Sequence, residues 1–256
     1  TFFYRGGLFD ASTREFRGFS EVTVVDPLGN RAVTRFHQDD HSRGRPYEQE
    51  VRDAADRLYV KTVYTWECLD SAPGVHQCLL KAQETFTYDG DETFKQTRMR
   101  LAYDSFANPI RMEEEGDVSL AGDERTTETA YAYNQDRWIF SLPFHQVVQD
   151  AQGVKVSETW FTYDGNASAS DPPTQGLLAK EERWLSPNSN PAAGNPMWEY
   201  TYDAYGNRLT VKDPLARVSR TEYDTLTHTF PVREINALNQ VLQAELKSHG
   251  SLPQAE

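Results

Sequence analysis

The stretch YTYDAYGNRLTVKD, residues 200–213, places a Tyr-Asp pair between an alternating aromatic run and a glycine-containing turn. Tyr200 and Tyr202 flank a threonine, and successive side chains of a β-strand point to opposite faces of the sheet. This alternation predicts a strand that ends at Tyr202. The side chain of Asp203 can accept a hydrogen bond from the backbone two residues later, and Gly206 tolerates positive φ. A turn should therefore follow the strand, and RLTVKD should form the next strand.

The Tyr-Asp pair occurs five times in 256 residues, whereas the tyrosine and aspartate content predicts about one occurrence by chance. Related runs are FTYDGD at 86–91, FTYDGN at 161–166 and TEYD at 221–224. Repetition of this kind indicates architecture rather than one acidic active site. The predicted repeat motif comprises Tyr88, Asp89, Tyr103, Asp104, Tyr163, Asp164, Tyr202, Asp203, Gly206, Asn207, Tyr223 and Asp224.

Other stretches extend the pattern of strand, turn and strand. DPLGN at 26–30 has the same turn frame without the tyrosine, and RAVTRF follows it as RLTVKD follows Asn207. YEQEVRDAADRL at 47–58 can form an amphipathic helix. We prefer a hairpin there, because the next residues are strongly β-prone. Residues 165–176 and 186–196, rich in Pro, Gly, Ser and Asn, are predicted loops.

These features predict an all-β protein, a repetitive antiparallel β-hairpin array that forms part of a curled sheet. One hairpin cannot bury its aromatic face, so many must pair edge to edge, and the sheet must curl, close or be capped. We interpret residues 1–256 as one array. Because the chain begins at Thr1 without a methionine, we also expect it to be a fragment of a much larger protein.

Composition restricts the classes of partner. The net charge of −13 argues against nucleic acid, which requires clustered Lys and Arg. Aromatic residues make up 12% of the chain, which is typical of a folded rather than a disordered protein. No apolar run reaches the length of about 18 residues expected of a transmembrane helix. We therefore expect no membrane insertion by this segment.

The two cysteines, Cys68 and Cys78, flank a Pro-Gly turn signal. They could meet as a disulfide if they lie on paired strands. Two unrelated thiols are the alternative, and we prefer that alternative. A zinc site needs further ligands. His76 is close in sequence, but no fourth ligand is evident.

No residue pattern nominates a chemical site. HQDDH at 37–41 resembles a metal-ligand string, yet a solvated loop is the preferred interpretation. Three acids at 113–115 alternate faces on a strand, so we expect a charged edge or turn instead of a glycosidase pair. The five tryptophans fit sheet packing better than sugar stacking. We therefore predict no enzyme activity, no catalytic, cofactor or metal residues, and no cofactor.

The motifs resemble a known family. YTYDAYGNRLTVKDPLARVSRTEYD at 200–224 is similar to an RHS or YD repeat. TREFRGFSEVTVVDPLGN at 13–30, FHQDDHSRGRPYEQEVRDAADRL at 36–58 and TFPVREINALNQ at 229–240 resemble the RHS-repeat region of the insecticidal toxin complex B component.

The resemblance implies a β-strand shell that encapsulates a C-terminal toxic domain in a secreted, extracellular bacterial toxin. It implies three partners, namely the remainder of the RHS shell, the enclosed toxin domain and a translocation-channel component. DPLG at 26–29 and DPLA at 213–216 differ from the paired DPxG elements of the family's self-cleaving protease, and we assign them no protease role. A cell-surface adhesin or carbohydrate-binding β array, or a hydrolase, remain alternatives.

Overall fold

The computed structural model describes residues 1–72, 75–185 and 194–243. Within those ranges the chain forms seventeen strands and one three-residue 3-10 helix, Gln135–Arg137. The predicted all-β class with antiparallel hairpins is confirmed. Residue contacts divide the chain into two units, Thr1–Thr129 with Val148–Val156, and Ala130–Val147 with Ser157–Glu256. The interpretation of the whole chain as one array stays a prediction.

The first unit is a meander in which each strand pairs antiparallel with the next along the chain. Its strands are β1 Phe2–Asp10, β2 Glu15–Val25, β3 Arg31–Phe36, β4 Pro46–Arg52, β5 Leu58–Ala72, β6 Val75–Tyr88, β7 Phe94–Tyr103 and β8 Pro109–Glu115. The preferred hairpin over 47–58 is correct, because β4 and β5 pair across a turn at Asp53–Arg57.

Three strands contain residues of both units: β9 Arg125–Asn134, β10 Ile139–Asp150 and β11 Lys155–Tyr163. The second unit continues the meander from β11, again with antiparallel pairing of successive strands. Its remaining strands are β12 Leu178–Arg183, β13 Met197–Tyr202, β14 Arg208–Lys212, β15 Val218–Tyr223, β16 Pro231–Ile235 and β17 Val241–Gln243. The predicted loop at 165–176 connects β11 to β12. The loop at 186–196 lies mostly outside the described residues.

Few side chains among the described residues are fully buried in either unit. Within those ranges the buried apolar side chains are Val33, Cys78, Ala132, Tyr163 and Pro173. Most other strand residues are half-buried, so stability must come largely from backbone pairing and from contacts between neighbouring strands. No helix among the described residues is long and apolar enough to span a membrane.

Charged triads run across three strands of the first unit. Arg98 of β7 lies opposite Glu84 of β6 and Glu115 of β8, and its guanidinium contacts both carboxylates at 2.6 and 3.2 Å. Arg35 of β3 bridges Glu21 of β2 and Glu48 of β4 in the same way. Opposite charges on facing positions stabilise a sheet by about 0.2–1 kcal/mol a pair. A polar sequence can therefore still favour one strand register.

These ion pairs correct the interpretation of the three acids at 113–115. We expected a charged edge or turn, but they lie in β8, which pairs with β7 on one side and β9 on the other. Arginines on the neighbouring strands and within β8 neutralise them, because cross-strand positions place guanidinium groups within reach. The contacts are Glu113 with Arg111, Glu114 with Arg125, and Glu115 with Arg98 and Arg100.

The preferred interpretation of two unrelated thiols is wrong, because Cys68 and Cys78 form a disulfide. β5 and β6 are the longest strands, and their pairing places the two cysteines directly opposite each other. A strand register cannot be read from a turn signal alone.

Replacing Cys68 and Cys78 together by serine should destabilise the chain by about 2–3 kcal/mol, the loop-closure effect of a disulfide spanning 10 residues. Urea unfolding under oxidising conditions measures the loss. Reductant should lower the wild-type midpoint to that of the variant and leave the variant unchanged. Equal midpoints of the oxidised wild type and the variant would contradict a stabilising role for this bond.

Candidate functional site: the repeated acidic turns

The turn after Tyr202 has a compact hydrogen-bond pattern. Asp203 Oδ1 accepts from the backbone N–H groups of Tyr205 and Asn207, both at 2.9 Å. Asp203 Oδ2 accepts from Asn207 Nδ2 at 2.9 Å. The Asp203 N–H donates to the Asn207 carbonyl, and its own carbonyl accepts from Gly206. One carboxylate therefore orders five residues and closes the hairpin.

Seven turns among the described residues share this pattern. In each, the first side chain accepts from the N–H groups of the third and fifth residues at 2.8–3.0 Å. The first residues are Asp26, Asp53, Asp104 and Asp150 in the first unit, and Asp203, Asp213 and Asn236 in the second. We name this turn motif the five-residue acidic turn and number its positions one to five.

Position four always has positive φ. Glycine occupies it in three turns, Gly29, Gly153 and Gly206, with φ of 75–87°. Four turns place a residue with a side chain there, Asp56, Ala107, Ala216 and Asn239, with φ of 59–68°. The left-handed region costs most residues energy. The hydrogen bonds to position one must outweigh that cost at Ala107 and Ala216.

Positions one and five are chemically complementary. In five of the six turns that begin with aspartate, a side chain at position five donates to the second carboxylate oxygen, namely that of Asn30, Asn108, Asn207, Arg57 or Arg217. The turn at Asn236 reverses the roles, because its Nδ2 donates to Gln240 Oε1 at 2.7 Å. Val154 ends the Asp150 turn without such a contact, which shows that the backbone bonds alone suffice to form the turn.

The hydrogen bonds lower the pKa of four of these carboxyl groups, those of Asp26, Asp53, Asp203 and Asp213. The Arg217 side chain is the main cause at Asp213, and the Asn30 side chain at Asp26. At Asp53 the main cause is the backbone N–H of Arg57. Desolvation at Asp203 opposes the shift, but hydrogen bonds from Asn207 still lower its pKa. These groups are held ionised, whereas a general acid needs a raised pKa.

The third position of several turns carries a large apolar side chain that points to solvent. Exposure reaches 66% at Tyr205 and 80% at Leu28. The same position is occupied by the exposed side chains of Phe106, Leu215 and Leu238. The turn itself makes no use of these side chains, since only the backbone N–H of position three enters the hydrogen-bond pattern.

The tyrosine of the pair marks a β-bulge. The register shifts by one residue between the tyrosine and the residue before it, at Tyr103, Tyr163, Tyr202 and Tyr223. The four hydroxyls donate to backbone carbonyls 15–24 residues earlier, those of Leu80, Pro143, Leu178 and Arg208, at 2.8–3.4 Å. Burial raises the pKa of Tyr163 to about 12. These four tyrosines therefore tie the turns that follow them to the preceding strand.

The five predicted pairs differ in what their aspartates do. Asp104 and Asp203 begin five-residue acidic turns as expected. Asp164 instead closes a longer loop by accepting from four backbone N–H groups at 174–177, and Asp224 accepts from those of Thr227, Thr229 and Phe230. At the pair Tyr88-Asp89 the register has no bulge, and it is Asp91 that accepts from Thr93.

Sequence reasoning missed several of these turns. Asp150 and Asn236 carry no preceding tyrosine, so the Tyr-Asp pattern does not reveal them, whereas the Asp53 turn follows from the preferred hairpin at 47–58. A better signal is Asp or Asn after a strand, followed four residues later by Asn, Arg or Gln. The same signal explains DPLG at 26–29 and DPLA at 213–216, which both lie in five-residue acidic turns.

The HQDDH string lies in the loop between β3 and β4, as the preferred interpretation held. Its residues point to different partners. Asp39 accepts from the N–H groups of His41 and Ser42 at 2.9 and 2.8 Å, and Asp40 contacts Arg17. The ring of His37 packs on Tyr47 with centroids 5.1 Å apart. The string therefore forms a capped loop and does not converge on one point.

Three of the tryptophans pack against neighbouring cationic or imidazole side chains. Arg45 lies over Trp66 at 4.8 Å, Arg183 over Trp198 at 4.5 Å, and His145 stacks on Trp160 at 5.2 Å. Trp138, in contrast, is 85% exposed. The contacts of Trp66, Trp160 and Trp198 agree with the predicted packing role.

Comparison with solved structures identifies the fold. TcdB2-TccC3 without its hypervariable C-terminal region matches 96% of this chain with a TM-score of 0.61 and 12% identity. TcdB2-TccC3 and TcdB2-TccC3-Cdc42 match the same share with TM-scores of 0.63 and 11% identity. The chain shares the fold of the matched part of TcdB2-TccC3. The resemblance to the toxin complex B component, inferred from motifs, is thus confirmed at the level of the fold.

The chain spans about a fifth of the length of these proteins, 20–21%. No protein-family model matches the chain. No curated protein matches it either.

Asp213→Asn should lower the melting temperature by a few degrees, because an amide N–H₂ would then face the Arg217 guanidinium, donor against donor. Adding Arg217→Gln should restore most of the loss by recreating the amide pair of Asn236 and Gln240. Arg217→Gln alone is the matched control. Additive effects of the two changes in a thermal melt would contradict the complementarity of positions one and five.

Acid should weaken the chain through these turns. A carboxyl whose pKa is lower in the folded state than its unfolded value of about 3.9 adds stability above that value. The contribution is lost as the pH falls through the folded pKa. Urea midpoints should therefore be flat from pH 6 to about 5 and fall below about 4. The Asp213→Asn, Arg217→Gln variant should lose less stability than wild type on acidification. An equal loss would show that the Asp213 carboxyl does not contribute to the acid destabilisation.

Proposed function

We propose that this chain is a wall segment of a shell that encapsulates a C-terminal toxic domain, in a secreted bacterial toxin of the toxin-complex type. The fold shared with TcdB2-TccC3 over 96% of the chain carries the proposal. The RHS-like motifs support it independently, since they were recognised from sequence. The proposed partners are the rest of the shell, the enclosed toxic domain and a translocation channel.

The turns suit a wall. Each five-residue acidic turn closes a hairpin with hydrogen bonds that need no side chain from positions two and three. A strand, a turn and a strand can be repeated along a chain with no new hydrophobic core for each repeat. Stability then comes from neighbouring strands, as in other repeat proteins.

The proposed role is structural and not enzymatic. Asp26, Asp53, Asp203 and Asp213 are engaged in turn hydrogen bonds that lower their pKa, whereas a general acid needs a raised pKa. Five or more equivalent acids at strand ends also do not form one reaction centre. The wall would hold its cargo by enclosure rather than by chemistry.

The disulfide between Cys68 and Cys78 supports the proposed extracellular location. Disulfides form and persist in oxidising compartments and are rare in the cytosol. The net charge of −13 also disfavours binding to anionic membrane or nucleic acid.

Strand β1 provides a surface for the rest of the shell. Phe2, Phe3, Tyr4 and Phe9 are each 56–62% exposed, and β1 is exposed along nearly its whole length. Phe2 and Tyr4 lie on one face of β1 and Phe3 on the other, because successive side chains of a strand alternate. Exposed apolar side chains on both faces mark a strand that other elements cover. We propose that neighbouring parts of the same shell protein cover it.

The chain expressed alone should self-associate through β1. Analytical ultracentrifugation should show oligomers that shift toward monomer in the Phe3→Thr, Phe9→Thr variant. Leu226→Thr is the control, because Leu226 is 89% exposed but lies in a loop. If the wild-type chain is a monomer that melts in a single cooperative transition, the proposal that it is a segment of a larger shell is contradicted.

Encapsulation needs a separate test on the longer natural protein. Protease digestion should leave the proposed C-terminal cargo intact while the shell is closed and degrade it after mild denaturant opens the wall. Cleavage of the cargo at the same rate in both conditions would show that the β array does not enclose it.

A further inference from the structure

The register of β5 and β6 brings two metal-binding side chains together. Cys68 pairs with Cys78, and two residues nearer the hairpin end Asp70 pairs with His76. Both pairs point to the same face, because side chains two residues apart on a strand share a face. The His76 Nδ1 lies 2.7 Å from Asp70 Oδ1.

A third residue comes from the loop between β3 and β4. The N–H of His41 donates to Asp39 Oδ1 at 2.9 Å, which fixes the backbone of the loop. The His41 carbonyl oxygen lies 2.9 Å from Cys78 Sγ, so this loop rests on the disulfide. The His41 ring reaches the hairpin end, with its centroid 4.4 Å from that of His76.

The three side chains converge on one point. His41 Nε2 lies 3.4 Å from Asp70 Oδ1, and the ligand atoms of His41, Asp70 and His76 all lie within 4.8 Å of one another. Tetrahedral zinc with bonds of about 2.0–2.1 Å separates its ligand atoms by about 3.3 Å. The His41–Asp70 distance already matches that value. His76 Nδ1 must move from 2.7 Å to about 3.3 Å from Asp70 Oδ1, and the His41 and His76 nitrogens, up to 4.8 Å apart, must approach each other, which exposed side chains can do by rotation.

We propose that His41, Asp70 and His76 form a site for a divalent transition metal, with Zn²⁺ as the preferred ion. Two imidazoles and one carboxylate are a donor set that zinc accepts, with water at the fourth position. All three residues are exposed, so the ion can enter from solvent. The site lies in the first unit and is independent of the proposed shell function.

The rival interpretation is a simple cross-strand hydrogen bond between His76 and Asp70. In that state Nδ1 carries the proton that it donates to the carboxylate. A metal ion takes the Nδ1 lone pair, so the proton moves to the other ring nitrogen or to solvent. His41 decides between the two interpretations, because the hydrogen bond does not require it and the metal site does.

The ion would join the loop between β3 and β4 to the end of the β5–β6 hairpin. The disulfide holds the paired strands at Cys68 and Cys78, so two ligands stay close without the metal. Only His41 comes from another segment. Zinc would therefore add a link between distant parts of the chain, with the disulfide acting as a positioning element.

Equilibrium dialysis of the chelator-treated, oxidised chain against Zn²⁺ tests the proposal and does not depend on its association state. We expect one saturable site per chain. His41→Ala or Asp70→Asn should weaken Zn²⁺ binding by more than about tenfold, since even loss of a residue that orients a ligand costs about 10–100-fold. Serine at Cys68 and Cys78 should weaken it less.

Two controls isolate the site. His37→Ala removes the other histidine of HQDDH, and His145→Ala removes a histidine that pairs with Glu158 at 2.8 Å in the second unit. Both should bind Zn²⁺ as wild type does. Absence of a saturable Zn²⁺ site, or equal binding by His41→Ala and wild type, would overturn the proposal. Circular dichroism of each variant confirms that the sheet is retained.

Discussion

A single side-chain oxygen that accepts two backbone hydrogen bonds is the interaction on which the rest of this structure depends. It occurs at the first position of every five-residue acidic turn, and it orders the N–H groups that would otherwise be unpaired between two strands. The strands are polar and half-buried, so a deep core does not determine where they begin and end. Local turn chemistry does so instead, which is why an aspartate or asparagine recurs where a core residue would recur in other β-proteins.

Cross-strand electrostatics complete what the turns begin. A shift of register by one residue would move Arg98 and Arg35 away from their facing carboxylates and onto the opposite face. The register is therefore specified by paired charges as well as by the few buried apolar residues. The tyrosine hydroxyls add a longer tie, since each reaches a backbone carbonyl of an earlier strand. Three sets of polar interactions therefore replace part of a hydrophobic core: the turn hydrogen bonds, the cross-strand charged triads and the hydrogen bonds of the tyrosine hydroxyls.

The sequence was informative where structure is local. The strands after Asn30, Asn108 and Asn207, the hairpin at 47–58 and the all-β class all follow from alternation and turn residues within about ten positions. The disulfide did not follow, because it depends on the register of two long strands around a turn. Once that register is known, Asp70 must face His76, but the approach of His41 depends on how a separate loop rests on the disulfide. The bulges at the tyrosines were equally invisible, since a bulge changes pairing without changing composition.

The exposed side chains at the third position of the turns have a consequence for how such a protein can change. Positions one, four and five carry the turn, whereas Leu28 and Leu215 contribute only a backbone N–H to it. Substitutions at those tips should have little effect on folding. The tips can therefore vary in shape and polarity at almost no cost to the scaffold, which separates the evolution of these exposed side chains from that of the fold.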